Sequence, residues 1–89
     1  MGRLRHDIYK DAVRSIQQEL IALQISQRAA AGHIGIAHST FNAFLNQEYS
    51  RPNMTTVEKI SRVPIWTDNT RQRLKDLQDY EARLFCREA

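Results

Sequence analysis

The chain has 89 residues, a net charge of +3 and one cysteine, Cys86. This length fits a single domain over residues 1–89, and a lone cysteine excludes both a disulfide framework and a cysteine-rich zinc site. No apolar run is long enough for a membrane span or a signal peptide. We therefore expect a globular cytoplasmic protein that has no contact with membranes.

Helix-forming residues are frequent and β-branched residues form no alternating runs, which predicts an all-α bundle of about five helices. The first helix is predicted over residues 6–23. Arg3 and Arg5 precede it as a short basic arm, which either contacts phosphates or, more commonly in proteins, frays. The buried face of the helix is indicated by apolar residues that recur at spacings of four and three, namely Ile8, Ala12, Ile16, Leu20 and Leu23.

Two short helices are predicted to follow. Ser26 is expected to cap the first of them, which ends near residue 33, because its hydroxyl can accept an N–H of the first turn. Gly35 then supplies a turn in which a positive φ costs nothing. The second of these helices is predicted over residues 38–46. Its apolar side consists of Phe41, Phe44 and Leu45, and its remaining residues are polar or small.

A loop over residues 47–53 leads to a fourth helix, predicted over residues 54–62. Its first turn is capped either by Asn53 or by a capping box that Thr55 and Glu58 form. Pro64 ends this helix, because proline cannot continue it. The segment after Pro64 carries Ile65 and Trp66, which are expected to close the base of the core.

The last helix is predicted over residues 68–87, with Asp68 as its cap. Its apolar side exceeds what the core of a four-helix protein needs. This side either closes the core of a monomer or forms the contact of a homodimer. It consists of Leu74, Leu77, Tyr80, Leu84 and Phe85.

Residues 26–46 have the pattern of a helix-turn-helix. Ala31 is small where the two helices approach each other, and Gly35 stands at the turn. Residues 26–47 contain no Asp or Glu, and Arg28 is their one formal charge. A surface without carboxylates suits DNA, although an Ala- and Asn-rich helical hairpin would have the same composition. The apolar wedge between the helices and the core is expected to consist of Ala30, Ile34, Ile36, Phe41 and Phe44.

This segment resembles the helix-turn-helix of the phage repressor and Cro family, the XRE-type regulators. The resemblance covers residues 25–63 and implies a lambda-repressor-like fold that binds double-stranded DNA, commonly as a dimer on a palindrome. Two positions depart from the family: Ala37 replaces a Ser or Thr cap, and the loop after residue 45 lacks the usual glycine. The resemblance depends on the Ser26-Gln27-Arg28 opening, Ala31, Gly35-Ile36, Ser39-Thr40 before Phe41, and Arg51-Pro52.

The resemblance implies that the start of the second motif helix contacts bases in the major groove. By their chemistry, Asn42 can bind adenine through two hydrogen bonds and Ala43 can contact a thymine methyl. Arg28 and Arg51 are candidate phosphate contacts, with Lys59 and Arg62 as weaker ones. The predicted DNA-binding residues are Gln27, Arg28, His38, Ser39, Thr40, Asn42, Ala43, Asn46 and Arg51.

Two other functions remain open. Residues 44–49 are also similar to the N-terminal domain of the Mu-type transposition ATPases, which implies a DNA-binding module of a transposition protein. The single arginine of the motif would also suit a protein-interaction module of the same shape. We expect no enzyme, cofactor or small-molecule ligand, because no nucleophile-base grouping or glycine-rich phosphate loop is present. His33 and His38 lack the further ligands of a metal site.

Overall fold

The computed structural model describes residues 4–48 and 52–88, and for residues 84–88 it describes the backbone alone. Within these residues the secondary structure is entirely helical, which confirms the predicted small all-α bundle. None of the described helices is both long enough and apolar enough to cross a membrane. The five helices are α1 (Arg5–Leu23), α2 (Gln27–Ile34), α3 (His38–Leu45), α4 (Met54–Arg62) and α5 (Asp68–Glu88).

The two long helices, α1 and α5, pack along each other and form the frame of the bundle. The apolar stripe of α1 is buried from Ile8 to Leu20, and α5 contributes the fully buried Leu74 and Leu77. Helix α4 also packs on α5, whereas α2 contacts α3 and α4. Trp66 closes the base of the core, as predicted, and its Nε1–H donates to a backbone carbonyl of α4 at 2.7 Å.

Polar links at three points, which we call the polar seam, join α1 to α5 and to Thr67, the residue before α5. The residue numbers rise along α1 as they fall along α5, so the two helices run antiparallel. Buried hydroxyls and carboxylates are tolerated in such a contact because each finds a partner. The links are Arg5 with Glu81, the Ser15 and Thr70 hydroxyls at 2.5 Å, and the Glu19 carboxylate with the Thr67 N–H at 2.7 Å.

The seam corrects two predictions. Arg5 does not form a basic arm, because it is the first residue of α1 and its guanidinium pairs with the buried Glu81. Arg3 lies outside the described residues. Asp68 is not the cap of α5: the Thr67 hydroxyl accepts from the Thr70 N–H at 3.5 Å, and Glu19 holds Thr67 in place from α1. The contact between Glu19 and Thr67 could not be predicted from the spacing of residues within α5, because Glu19 belongs to α1.

One apolar residue differs from its predicted role, and for a second the structure selects one of the two roles left open. Leu23 is 46% exposed, because α1 ends there and Ile25 of the following loop packs on the core instead. Leu77 is fully buried and closes the core of the monomer, so it cannot provide the contact of a dimer. Tyr80 is partly buried against the same core. The side chains of Leu84 and Phe85, named for the same surface, lie outside the described part of the chain.

The starts of α2 and α4 follow local chemistry. The Ser26 hydroxyl accepts from the Ala29 N–H at 3.1 Å, as predicted. For α4 the structure selects Asn53, whose Oδ1 accepts from Thr55 N–H at 2.8 Å, and excludes the capping box. Glu58 points elsewhere because it pairs with Arg62, one turn further along α4.

Helices α1, α2 and α3 end in the same way, with a residue in the left-handed conformation. Gly35 has a φ of 87°, as the sequence predicted, but Gln24 and Gln47 adopt φ values of 58° and 56° at the other two ends. The next residue then donates its N–H to a carbonyl five positions back. This bond gives a carbonyl of the last turn a hydrogen-bond partner. These bonds join Ile25 to Leu20 (3.0 Å), Ile36 to Ala31 (3.1 Å) and Glu48 to Ala43 (3.1 Å).

Gly32 offers a stabilising substitution. It lies inside α2, is exposed, and a Cβ at this position would meet no atom within 4 Å. Gly32→Ala should therefore raise the free energy of unfolding by about 0.5–1 kcal/mol, measured by urea denaturation, because alanine loses less backbone entropy in a helix. Gly35→Ala is the matched control and should lower it by about 1 kcal/mol, because of the positive φ. Equal effects of the two substitutions would contradict the assigned helix end.

Gln47 provides a second test of the helix ends. Gln47→Gly should raise the free energy of unfolding by up to about 1 kcal/mol, since glycine adopts the left-handed conformation without strain. The same substitution at Gln18, which is exposed in the middle of α1, should lower it by about 1 kcal/mol. Thermal and urea denaturation of both variants show whether each substitution raises or lowers the free energy of unfolding. A loss of stability in both would show that Gln47 does not adopt this conformation.

Candidate nucleic-acid interface

Helix α3 buries one side and exposes the other. Phe41 and Phe44 are completely buried and Leu45 nearly so, which fixes this face against the core. Residues three and four positions apart lie on one side of a helix. The opposite side is therefore a strip of small and uncharged polar residues, formed by Ser39, Asn42, Ala43 and Asn46.

The predicted DNA-binding residues divide between two elements. Gln27 and Arg28 lie in the first turn of α2, and the others that the structure describes lie in α3 or directly after it. Arg51 lies outside the described residues. The exposed members are Arg28, His38, Ser39 and Asn46, and the half-buried ones are Gln27, Thr40, Asn42 and Ala43.

Three polar side chains of α3 and the residue after it have no hydrogen-bond partner in the described part of the chain. Within residues 4–48 and 52–88, the side chains of Ser39, Asn42 and Asn46 make no hydrogen bond with another described residue. Ala37, which precedes α3, has no side-chain group that could cap the helix. The first N–H groups of α3 therefore stay free, and such groups can bind a phosphate.

Tyr9 supports α3 from behind, a contact that was not predicted. Its buried hydroxyl donates to the Phe44 carbonyl at 2.7 Å, and the two rings lie 5.1 Å apart at an angle of 41°. The same carbonyl accepts the Gln47 N–H at 3.1 Å. A tyrosine inside the apolar stripe of α1 is the signal that could have indicated this contact, because a buried phenol requires a partner.

The approach of α2 to α3 depends on small residues. Ala30 and Ala31 are buried to at least 99%, whereas the partly buried Ile36 packs on the edge of the core. Ala31 accepts two N–H groups from the turn, those of Gly35 at 2.9 Å and Ile36 at 3.1 Å. The wedge expected between the two helices is therefore present, with Ile36 less buried than its neighbours.

The charges within the motif are few and positive. Arg28 is exposed, and no acidic residue occurs between Ser26 and Gln47. Lys59 and Arg62, predicted as weaker phosphate contacts, line a groove beside His33 at the C-terminal end of α2. They therefore do not lie beside Arg28 at the N-terminal end of this helix. In the described part of the chain, no three His, Cys, Asp or Glu side chains come together as metal ligands.

Comparison with known proteins gives no assignment. No family model matches the chain, no curated protein is similar to it in sequence, and no solved structure matches it. The interpretation of its function therefore depends on the residues of α2 and α3.

The Tyr9 hydroxyl provides a test of how α3 is held. Tyr9→Phe should lower the free energy of unfolding by about 1–2 kcal/mol, because the substitution removes the buried hydrogen bond and keeps the ring. Amide hydrogen exchange should increase most in α3 and the turn after it. Tyr80→Phe is the control and should change stability by less than about 0.5 kcal/mol, since the half-buried residue keeps its ring contact with the Arg5 guanidinium. Uniform loss of protection in all helices would contradict a local role of Tyr9.

Proposed function

We propose that this protein is a helix-turn-helix regulator of the phage repressor and Cro type, which binds double-stranded DNA through α3. The observation that supports this proposal is the outer strip of α3. It presents uncommitted polar side chains on a helix whose other side is fixed in the core. A rigid helix with a free polar face is the element that reads bases in the major groove.

The dimensions and chemistry of α3 suit this role. A helix of eight residues is about 12 Å long, comparable with the width of the major groove. Asn42 offers a donor and an acceptor to the edge of adenine, while Ala43 offers a methyl to thymine. Ser39 and the free N–H groups at the start of α3 can bind a base or a phosphate.

Arg28 is expected to contact the phosphate backbone from the first turn of α2. Its exposed guanidinium lies in a segment without carboxylates, so no neighbouring acid of this segment repels a phosphate. A palindromic operator would also require a homodimer. The C-terminal end of α5 is our proposed contact, because Leu77 is already buried in the monomer.

We further infer a cytoplasmic binding module and not an enzyme. A lone cysteine suits a reducing compartment. One alternative is a DNA-binding module of a transposition protein, which the sequence of residues 44–49 favours. The other is a protein-interaction module of the same shape, which the single arginine of the motif favours.

The decisive experiment selects DNA from a random duplex pool at two salt concentrations and sequences the bound fraction. The wild type should enrich one motif, and affinity should fall steeply with salt because phosphate contacts release counterions. Ser39→Ala/Asn42→Ala should lose about 1–3 kcal/mol of discrimination for each base contact removed, measured by fluorescence anisotropy on the selected duplex. Arg28→Ala should instead weaken binding to all sequences and reduce the salt slope by about one.

Gln18→Ala/Gln72→Ala is the matched control, since both residues are exposed on the frame helices α1 and α5. It should bind the selected duplex like the wild type. Enrichment of a palindrome supports an operator reader, and sedimentation then gives the oligomeric state. Salt-sensitive binding without a motif supports the transposition alternative. Absence of binding at both salt concentrations excludes the proposed function and leaves the interaction module.

A further inference from the structure

A groove between α2 and α4 is lined by no residue of α3. It has a volume of about 440 Å³ and lies between the C-terminal end of α2 and the segment that follows α4. Of the residues considered for DNA contacts, only the two weaker phosphate candidates, Lys59 and Arg62, line it. The groove therefore does not include the polar strip of α3.

The floor of the groove is apolar. Ile34 and Val63 are each 8% exposed, Ile65 is half-buried and Pro64 is exposed. A phosphate gains nothing from such a surface, because its binding depends on charge and hydrogen bonds. Aliphatic or aromatic side chains of a ligand would lose water-exposed area there. The floor thus favours a ligand that has apolar groups.

The rim of the groove is basic. His33 and the exposed Lys59 and Arg62 line it, and none of the described residues that line it is acidic. Arg71 of α5 lies next to the groove, where its Nη2 donates to the Pro64 carbonyl at 3.1 Å. Glu58, one turn before Arg62 on the same helix, pairs with it. This pair is exposed on both sides and therefore weak, so Arg62 can exchange Glu58 for another carboxylate.

We propose that this groove binds a short acidic peptide segment of a partner protein, with one or two apolar side chains between its carboxylates. The apolar groups would occupy the floor over Ile34, Val63 and Ile65, and the carboxylates would pair with Lys59 and Arg62. The small volume limits the contact to a few side chains, so the complex is weak and transient. Its charge complementarity sets which partners bind and how fast they associate.

The experiment uses the full chain and a fluorescein-labelled peptide that has three acidic residues on each side of a Leu-Phe pair. Anisotropy should give saturable binding that weakens with salt. Lys59→Glu should lower the affinity by about fivefold or more, because it places a carboxylate opposite those of the peptide. Arg14→Glu makes the same change of charge at an exposed position of α1 and should change the affinity by less than about twofold. Circular dichroism verifies that both variants are folded.

Three further arms decide the result. A peptide with Gly-Gly in place of Leu-Phe should bind at least about fivefold more weakly, because it cannot fill the apolar floor. A peptide with lysines in place of its acids should bind Lys59→Glu better than the wild type, a gain that misfolding cannot produce. Amide shifts of the bound protein should be largest at residues 33–35 and 62–65. Equal loss with Arg14→Glu, no saturable binding, or displacement of the peptide by duplex DNA at these amides would overturn the proposal.

Discussion

The contact between α1 and α5 is the constraint on which the rest of the structure depends. Its polar seam holds the two helices at three points, near the start, the middle and the end of α1. Apolar packing alone permits small sliding between helices, whereas paired polar groups fix the register, because a shift would leave a buried group without its partner. Glu81 is 2% exposed, so the loss of Arg5 would take one partner from a carboxylate that is costly to bury.

The position of α3 follows from this frame. Tyr9 lies on α1 between the first and second links of the seam, and its hydroxyl reaches the last turn of α3. The turn at Gly35 holds the other end of the motif, since Ala31 and Ala30 let α2 pack closely. The last turn of α3 is therefore fixed by a buried contact, and its start follows the hydrogen-bonded turn at Gly35. Its outer strip can remain polar and uncommitted without a loss of stability, as a preformed reading surface requires.

Local chemistry explains which parts of the fold could be predicted from the sequence. Ser26, Gly35 and the bounds of α4 were predicted correctly, because caps, turns and proline act within a few residues. Gln24 and Gln47 were not recognised as helix ends, since glutamine rarely adopts a positive φ and tertiary packing overrides this preference. The seam joins residues about fifty or more positions apart, as in Ser15 with Thr70, and no spacing rule reaches that far.

The same reasoning applies to the candidate site. The exposed side of α3 could be predicted, because the period of a helix separates Phe41 and Phe44 from Ser39 and Asn42. The contact of Tyr9 with α3 could not be predicted, because it depends on how α1 packs on α3. The location of Lys59 and Arg62 could not be predicted without the fold either, because their distance from Arg28 depends on how α4 crosses α2.

The distribution of charge reconciles a modest net charge with a polyanionic partner. Helices α1 and α5 carry eight of the ten acidic residues together with eight of the thirteen basic ones, so the frame is neutral. The entire net charge of +3 therefore belongs to the remaining segments, which include α2, α3 and α4. A phosphate or carboxylate near these helices experiences mainly their positive potential, because the charges of the frame largely cancel within a Debye length. Acids on the frame stabilise the fold through the seam without repelling an anionic ligand elsewhere, which separates the requirements of stability from those of binding.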